Sequence, residues 1–320
     1  MTRFRKATLI AAKLLLSALL IAWLVRHASP AKIAAAIGEA DPWLLSAVIP
    51  LVLVGSLVAA YQLKIFTDCH RMGVSLWRIL GINFSTEFYN LFLPGYISGG
   101  AIRWYKLSRD NRMRAEAFAV IVLNRLLNTI VIVGLGLAGW LVDDNPQRNL
   151  YAGVFLAGLL ALVMVVSLVL SRPATMILLR HRVLRHPRMK PWFRDKLDKL
   201  VSAAREFRML SVMGHVKLVA CSSAVSLLSA LGTLMFLLAL GASIPFAAIL
   251  WMQALVGLAI LLPVTISGFG IREGSWIYLL GLYGILPAHA FVLSILTFLR
   301  SLFKGMIGLV IEMRGLFAVH

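Results

Sequence analysis

The chain has 320 residues, 60% of them hydrophobic and 14% charged, with a mean hydropathy of +0.88 and a formal net charge of +19. A soluble globular domain, about 45–50% apolar and about 25% charged, is excluded, and so is a membrane β-barrel with its short alternating strands. Lys and Arg fall in short stretches between apolar runs, where membrane topology places them, so nucleic acid is not an expected partner.

The first apolar run, Leu9 to Val25, follows Arg3-Phe4-Arg5-Lys6. It is longer than a signal-peptide core and no small-residue cleavage site follows, so a retained span over about 8–26 is expected. Ala31 to Ile37 is expected to lie along the outer interface. A second span covers about 43–63 and carries Pro50, which predicts a kink. The loop 64–78 holds Lys64, Arg71 and Arg78 against Asp68, a cytoplasmic signature. Cys69 in this loop and Cys221 in a later span are expected to be reduced thiols, too few for a disulfide framework or a zinc site.

Segment 79–100 ends in the phrase Leu93-Pro94-Gly95-Tyr96-Ile97-Ser98-Gly99-Gly100-Ala101-Ile102-Arg103, and Arg103, Lys106, Arg109, Arg112 and Arg114 cluster after it. A single crossing would strand these charges outside. A re-entrant hairpin with Pro94 and Gly95 near its tip keeps them inside. Non-helical backbone at membrane depth is tolerated only when buried in protein or lining a wet cavity.

Spans follow at about 116–141 and 150–171. Asp143-Asp144 between them suits a solvated external turn. The segment 172–214 contains eleven Lys or Arg and three acidic residues, so it is expected to be cytoplasmic. Its Phe193, Leu197, Leu200, Val201, Ala204, Phe207 and Leu210 recur at helical spacing. They fit either an amphipathic helix on the inner leaflet or a connector helix packed on the bundle. A further span covers about 216–240.

The phrase then recurs late in the chain as Leu262-Pro263-Val264-Thr265-Ile266-Ser267-Gly268-Phe269-Gly270-Ile271-Arg272. Both copies read L-P-x-x-I-S-G-x-x-I-R. By the charge bias the second hairpin enters from the opposite face. A rival layout makes 246–267 and 275–287 two short complete spans. The last span covers about 288–311.

The fold expected is an all-α polytopic membrane protein with about six full transmembrane helices and two broken, re-entrant hairpins related as an inverted repeat. It forms one membrane domain over 1–320, with halves at about 1–171 and 215–320 joined by the basic segment 172–214. Paired broken helices in corresponding positions of two halves point to a transport site near the bilayer midplane.

Candidate residues for binding a lipid headgroup come from the two phrases and from ionisable residues at membrane depth. Interrupted helices expose backbone N–H groups, glycines let a headgroup approach, Ser adds a hydrogen bond and Arg offers a fork matched to phosphate. The first set is Glu87, Asn90, Pro94, Gly95, Ser98, Gly99, Gly100, Arg103 and Arg125. The second is Pro263, Ser267, Gly268, Gly270, Arg272, Glu273 and Arg300. Ion pairing of the arginines with Glu87 or Glu273, and close packing at the glycines, is the alternative for these residues. Arg300 and Lys304 share one helical face, and Lys304 is expected to snorkel inward. Clustered carboxylates for a metal, a nucleophile elbow, a Walker glycine loop and H-E-x-x-H are all missing from the sequence, so neither a metal, a cofactor nor catalysis is expected.

Asn90-x-x-Leu93-Pro94 leading to Gly99-Gly100 and Arg103, then Asn124-Arg125, then Leu262-Pro263 leading to Gly268-x-Gly270-x-Arg272-Glu273-Gly274, resembles the lysylphosphatidylglycerol synthase transmembrane-domain (flippase-like) family over about 10–315. The resemblance implies lipid handling in the bacterial cell membrane, with both termini cytoplasmic. The family often carries an acidic residue where this chain has Asn124. It also implies a membrane lipid substrate, with a separately encoded lipid-synthesis enzyme as a possible partner. Only a few residues follow the last span, so the aminoacyltransferase domain of bifunctional relatives, and lysine transfer from tRNA, is not expected. The function expected is a flippase for an anionic or polyprenyl-linked headgroup, running downhill or coupled to an ion. An accessory subunit or enzyme of lipid modification is the alternative, and a scaffold for a lipid-synthesis complex is a third. No oligomeric state is implied.

Overall fold

The structure, a computed structural model, describes residues 30–92, 96–111, 113–145, 150–171, 211–261, 268 and 270–317; the side chains of 92, 96–98, 110–111, 166–171 and 315–317 are outside the description. Among the described residues there are ten helices and no strand: α1 (Pro30–Gly38), α2 (Pro42–Cys69), α3 (Leu76–Phe92), α4 (Tyr96–Asn111), α5 (Arg114–Val142), α6 (Leu150–Ser171), α7 (Val212–Ala239), α8 (Phe246–Leu261), α9 (Ile271–Gly281) and α10 (Pro287–Phe317). Helices α2, α5, α7 and α10 are long and apolar enough to cross a bilayer. The expected span 8–26 and the basic segment 172–210 lie outside the described residues.

Local sequence sets the helix ends. Asp41 caps α2, its carboxylate accepting the Trp43 N–H at 2.8 Å, and Ser211 caps α7 by accepting the Gly214 N–H at 3.1 Å. Helix α2 runs on through Pro50. The two capped helices lie antiparallel along each other. The Asp41 N–H donates to the Ala239 carbonyl at 2.9 Å, Val48 lies against Gly232, and Gly55 against Leu228.

Two apolar clusters mark the ends of the bundle. One gathers Leu63 and Phe66 of α2, Ile79 and Ile82 of α3, Leu107 of α4, Val120 of α5 and Leu218 of α7. The other gathers Val48 of α2, Val133 of α5, Leu237 of α7, Ile249 and Trp251 of α8, Leu280 of α9 and Leu293 of α10. Helices α3 and α4 thus leave from and return to the first end, and α8 and α9 to the second. With eleven residues, α9 spans only about 16 Å, against a hydrocarbon core of about 30 Å. That length suits an arm of a hairpin.

The halves interlock crosswise. Helix α3 packs on α10, and α8 packs on α5. The register of the two phrases extends into these contacts. The offset that carries Arg103 onto Arg272 also carries Gly136 and Gly139 of α5 onto Gly305 and Gly308 of α10. A Cβ on Gly139 would meet the Ala247 carbonyl oxygen of α8 at 2.5 Å, and one on Gly308 would collide with the Phe84 carbonyl oxygen of α3. Small residues let the backbones approach where apolar burial supplies no drive between helices.

One turn further on, the same offset carries Asp143 onto Glu312. Asp143 is 1% exposed; it accepts the Trp251 indole N–H at 2.8 Å and the Tyr283 hydroxyl. Burial, reinforced by that bond and by the carboxylate's charge, pushes the Tyr283 phenol above its usual range. Glu312 accepts from Lys106 of α4 and from Tyr89 of α3 at 3.4 Å. Each carboxylate ties a long helix to the hairpin from the other half. The expectation of a solvated turn at 143–144 therefore holds for exposed Asp144 and fails for Asp143, because two donors converge on the buried carboxylate.

Candidate functional site

Three helices each present polar residues four apart, and so on one face: Asn83 and Glu87 of α3, Asn124 and Asn128 of α5, Arg300 and Lys304 of α10. These faces converge, with Gln62 of α2, Arg103 of α4 and Ser229 of α7, around a cavity of about 280 Å³. Its remaining wall is apolar apart from Ser56, from Val48, Leu51, Val52 and Gly55 of α2 to Val225 and Leu228 of α7. On α2 the neighbouring Leu53, Val54, Leu57 and Tyr61 face outward and are exposed, so this helix separates the cavity from the bilayer.

The polar groups differ in how far the protein satisfies them. Asn128 Oδ1 accepts from Gln62 Nε2 at 2.8 Å and from Ser222 Oγ at 2.7 Å, a closed junction of α2, α5 and α7. Glu87 Oε1 accepts from Lys304 Nζ at 2.9 Å. The snorkelling expected of Lys304 is thus replaced by a pair across the cavity wall, since α10 runs beside α3 at this depth. Among the described residues Arg300 hydrogen-bonds only to Ser229, through Nη1, at 3.3 Å to Oγ and 3.5 Å to the carbonyl. The buried amide oxygens of Asn83 and Asn124 accept no hydrogen bond among the described residues, although Asn124 is only 8% exposed. Buried polar groups are otherwise bonded in nearly every case.

The second phrase is built differently. Gly268 and Gly270 have φ of +75° and +86°, backbone that glycine adopts at little cost, and a Cβ on Gly268 would also press on Ile260. Glu273 Oε2 accepts the Gly270 N–H at 2.6 Å. Its Oε1 takes the Arg272 guanidinium at 2.6 Å and the Ser294 hydroxyl at 3.0 Å, and the Arg272 guanidinium also stacks over Phe298 at 5.6 Å. Glu273 is 4% exposed. This network holds α9 on α10 and does not line the cavity.

The structure therefore divides the sequence candidates. Glu87, Arg103 and Arg300 line the cavity. Arg272, Glu273, Gly268 and Gly270 form the closed network. Gly99 meets the Asn90 side chain, which fills the space a Cβ would need, so these two lock the arms of the first hairpin. Gly100 faces open space. Arg125 lies on α5 next to the cavity residue Asn124 without lining it. Pro94, Gly95, Pro263 and Ser267 lie outside the described residues, as does the side chain of Ser98. Sequence reasoning missed Gln62, Asn83, Asn124, Asn128, Ser229 and Lys304 as lining. The i, i+4 polar pairs within apolar helices were the available signal for most of them.

The model of the lysylphosphatidylglycerol synthase TM region matches residues 10–308. The chain belongs to this family. The match contains both copies of the phrase and every residue that lines the cavity. Comparisons with curated proteins and with solved structures each returned no match. In this member of the lysylphosphatidylglycerol synthase TM family, the cavity pairs a place among the long apolar helices with a charged lining.

Proposed function

We propose that the protein carries the headgroup of an anionic lipid between the leaflets of a bacterial cell membrane, with its termini and basic segment on the cytoplasmic side. One observation carries the reading: Arg103, Arg300, Lys304 and Glu87 converge on a cavity inside a bundle of membrane-spanning helices. Charges at that depth are costly and mark a substrate path or proton relay. The guanidinium of Arg300, hydrogen-bonded among the described residues only to Ser229, replaces water around an anion. Apolar tails stay outside α2, along Leu53, Leu57 and Tyr61. The two hairpins, opening to opposite ends, supply the alternating access, and the protein carries out no covalent step.

The test is reconstitution of the purified protein in liposomes that contain acyl-labelled phosphatidylglycerol and phosphatidic acid, with leaflet position and lipid mass followed together. Accelerated exchange of an unchanged lipid is the expected result. A change in lipid mass would instead make the protein an enzyme of lipid modification, and no exchange of either lipid would reject the translocase.

A further inference from the structure

The second arms of the two hairpins are fastened in matching ways. Helix α4 packs on α3 and α5, and its counterpart α9 packs on α8 and α10. Neither packs along the long helix of the opposite half, which is α10 for α4 and α5 for α9. A carboxylate of that long helix crosses each gap, at positions that the repeat register makes equivalent. Glu312 of α10 takes Lys106 of α4, and Asp143 of α5 takes the hydroxyl of Tyr283, just past α9.

What lies behind the two bridges differs. Arg103 of α4 lines the cavity together with Arg300 and Lys304 of α10, so the gap between α4 and α10 leads into it. Lys106 is three residues from Arg103 and shares its face of α4. It stands on the side of the first end of the bundle, where the next residue, Leu107, is packed. Behind the other bridge, the positions equivalent to Glu87 and Arg300 are Val256 and Val131, both buried in apolar packing. No described residue of α9 lines the cavity.

The bridges also differ in strength. The side chains of Lys106 and Glu312 are each 21% exposed. Ion pairs open to water contribute little, because solvent screens them and two long side chains must be held in one geometry. Asp143 is 1% exposed and takes a second donor, the Trp251 indole N–H. Helix α9 is held further by Glu273, which takes Arg272 and the Ser294 hydroxyl of α10. Opening a buried junction leaves polar groups unpaired in a low dielectric. Local opening therefore starts at the first end.

We infer that the Lys106–Glu312 pair is the gate of the cavity. Its parting lets α4 swing away from α10 and admits a charged headgroup from the first end, the cytoplasmic one in the proposed orientation, while the Asp143 junction keeps the second end shut. This deepens the translocase reading and rests on it only for what passes the gate.

The experiment reads the entry of a water-soluble reagent into the cavity. Ser56 lines it. The Ser56→Cys protein, with Cys69→Ser and Cys221→Ser to remove the native thiols, is purified in detergent and reacted with an anionic, membrane-impermeant methanethiosulfonate. Glu312→Gln and Lys106→Gln should each raise the labelling rate at least about fivefold, the scale of one partly exposed ion pair. The double exchange Lys106→Glu with Glu312→Lys should restore the slow rate, which a loss of folding would not. Asp143→Asn should leave the rate near that of the protein without it. Equal rates with and without the two single substitutions, or a double exchange that stays fast, overturns the inference. So does a rise with Asp143→Asn as large as with Glu312→Gln. A second reporter, Ala290→Cys, replaces a fully buried residue of the cluster at the other end. It should stay unreactive when Glu312→Gln is added, and labelling there would make the opening global and overturn the gate. If the rates follow the gate and no lipid changes leaflet in liposomes, the gate stands and the translocase fails. Leaflet exchange by the wild type, with labelling that ignores Lys106 and Glu312, gives the reverse.

Discussion

At the scale of single residues, Arg272 of the closed network and Arg300 of the cavity have opposite roles, and substitutions should separate them. Arg272→Ala strips the guanidinium from Glu273, which is 4% exposed. Breaking a buried pair from one side costs about 3–5 kcal/mol, so the melting temperature should fall and transport should fall only with the folded fraction. Arg300→Gln should leave melting close to wild type and lower transport by at least about tenfold, the scale of one lost charge-assisted contact. Asn124→Leu places the residue that its repeat position, 293, already holds. Its amide oxygen accepts no hydrogen bond among the described residues, so removing it should stabilise the fold by up to about 1 kcal/mol while transport drops. Thermal melts alongside leaflet assays check all three, and a melt in which Arg300→Gln is as unstable as Arg272→Ala would show the cavity arginine to be structural.

At the scale of elements, the crosswise packing of α3 on α10 and of α8 on α5 rests on glycines and carboxylates at matching positions. Gly308→Ala and Gly139→Ala each push a methyl onto a backbone carbonyl of the other half and should cost about 1–3 kcal/mol. Gly134→Ala, with nothing within 4 Å, should be neutral or stabilise by up to about 1 kcal/mol. Asp143→Asn leaves the Trp251 and Tyr283 donors with a weaker acceptor and should cost about 1–3 kcal/mol. Denaturation of these variants in one detergent ranks them, and a Gly308→Ala protein as stable as wild type would remove the close approach from the account. The elements themselves were legible because apolar length and the Lys/Arg bias are strong signals. The fates of Asp143 and Lys304 were not, since a helical period shows which face a side chain occupies and not which partner crosses that face. Asp143 looks like a turn residue until Trp251 and Tyr283, more than a hundred positions away, are brought to it.

At the scale of the molecule, one repeated architecture holds two different interiors. The repeat was visible as a phrase of eleven residues. Its extension to Gly136, Gly139 and Asp143 against Gly305, Gly308 and Glu312 needed the packing, because isolated glycines and acids are too common to align alone. Of the site, Glu87, Arg103 and Arg300 could be chosen from sequence because ionisable residues stand out at membrane depth. The amides Asn83 and Asn124 carry no charge and gave no comparable signal. The sequence reading also treated both phrases as parts of one cavity, whereas Glu273 closes the second by neutralising Arg272.

The central claim is that the charged cavity is the route for a headgroup. Leaflet exchange of acyl-labelled phosphatidic acid, timed by a membrane-impermeant quencher in liposomes containing either wild-type or Arg300→Gln protein, tests it most directly. The account predicts exchange well above protein-free liposomes for the wild type and at least about tenfold slower exchange for the variant at equal folded protein, in line with the loss of one charge-assisted contact. Equal rates for the two proteins, or a wild-type rate no faster than that of protein-free liposomes, would contradict it.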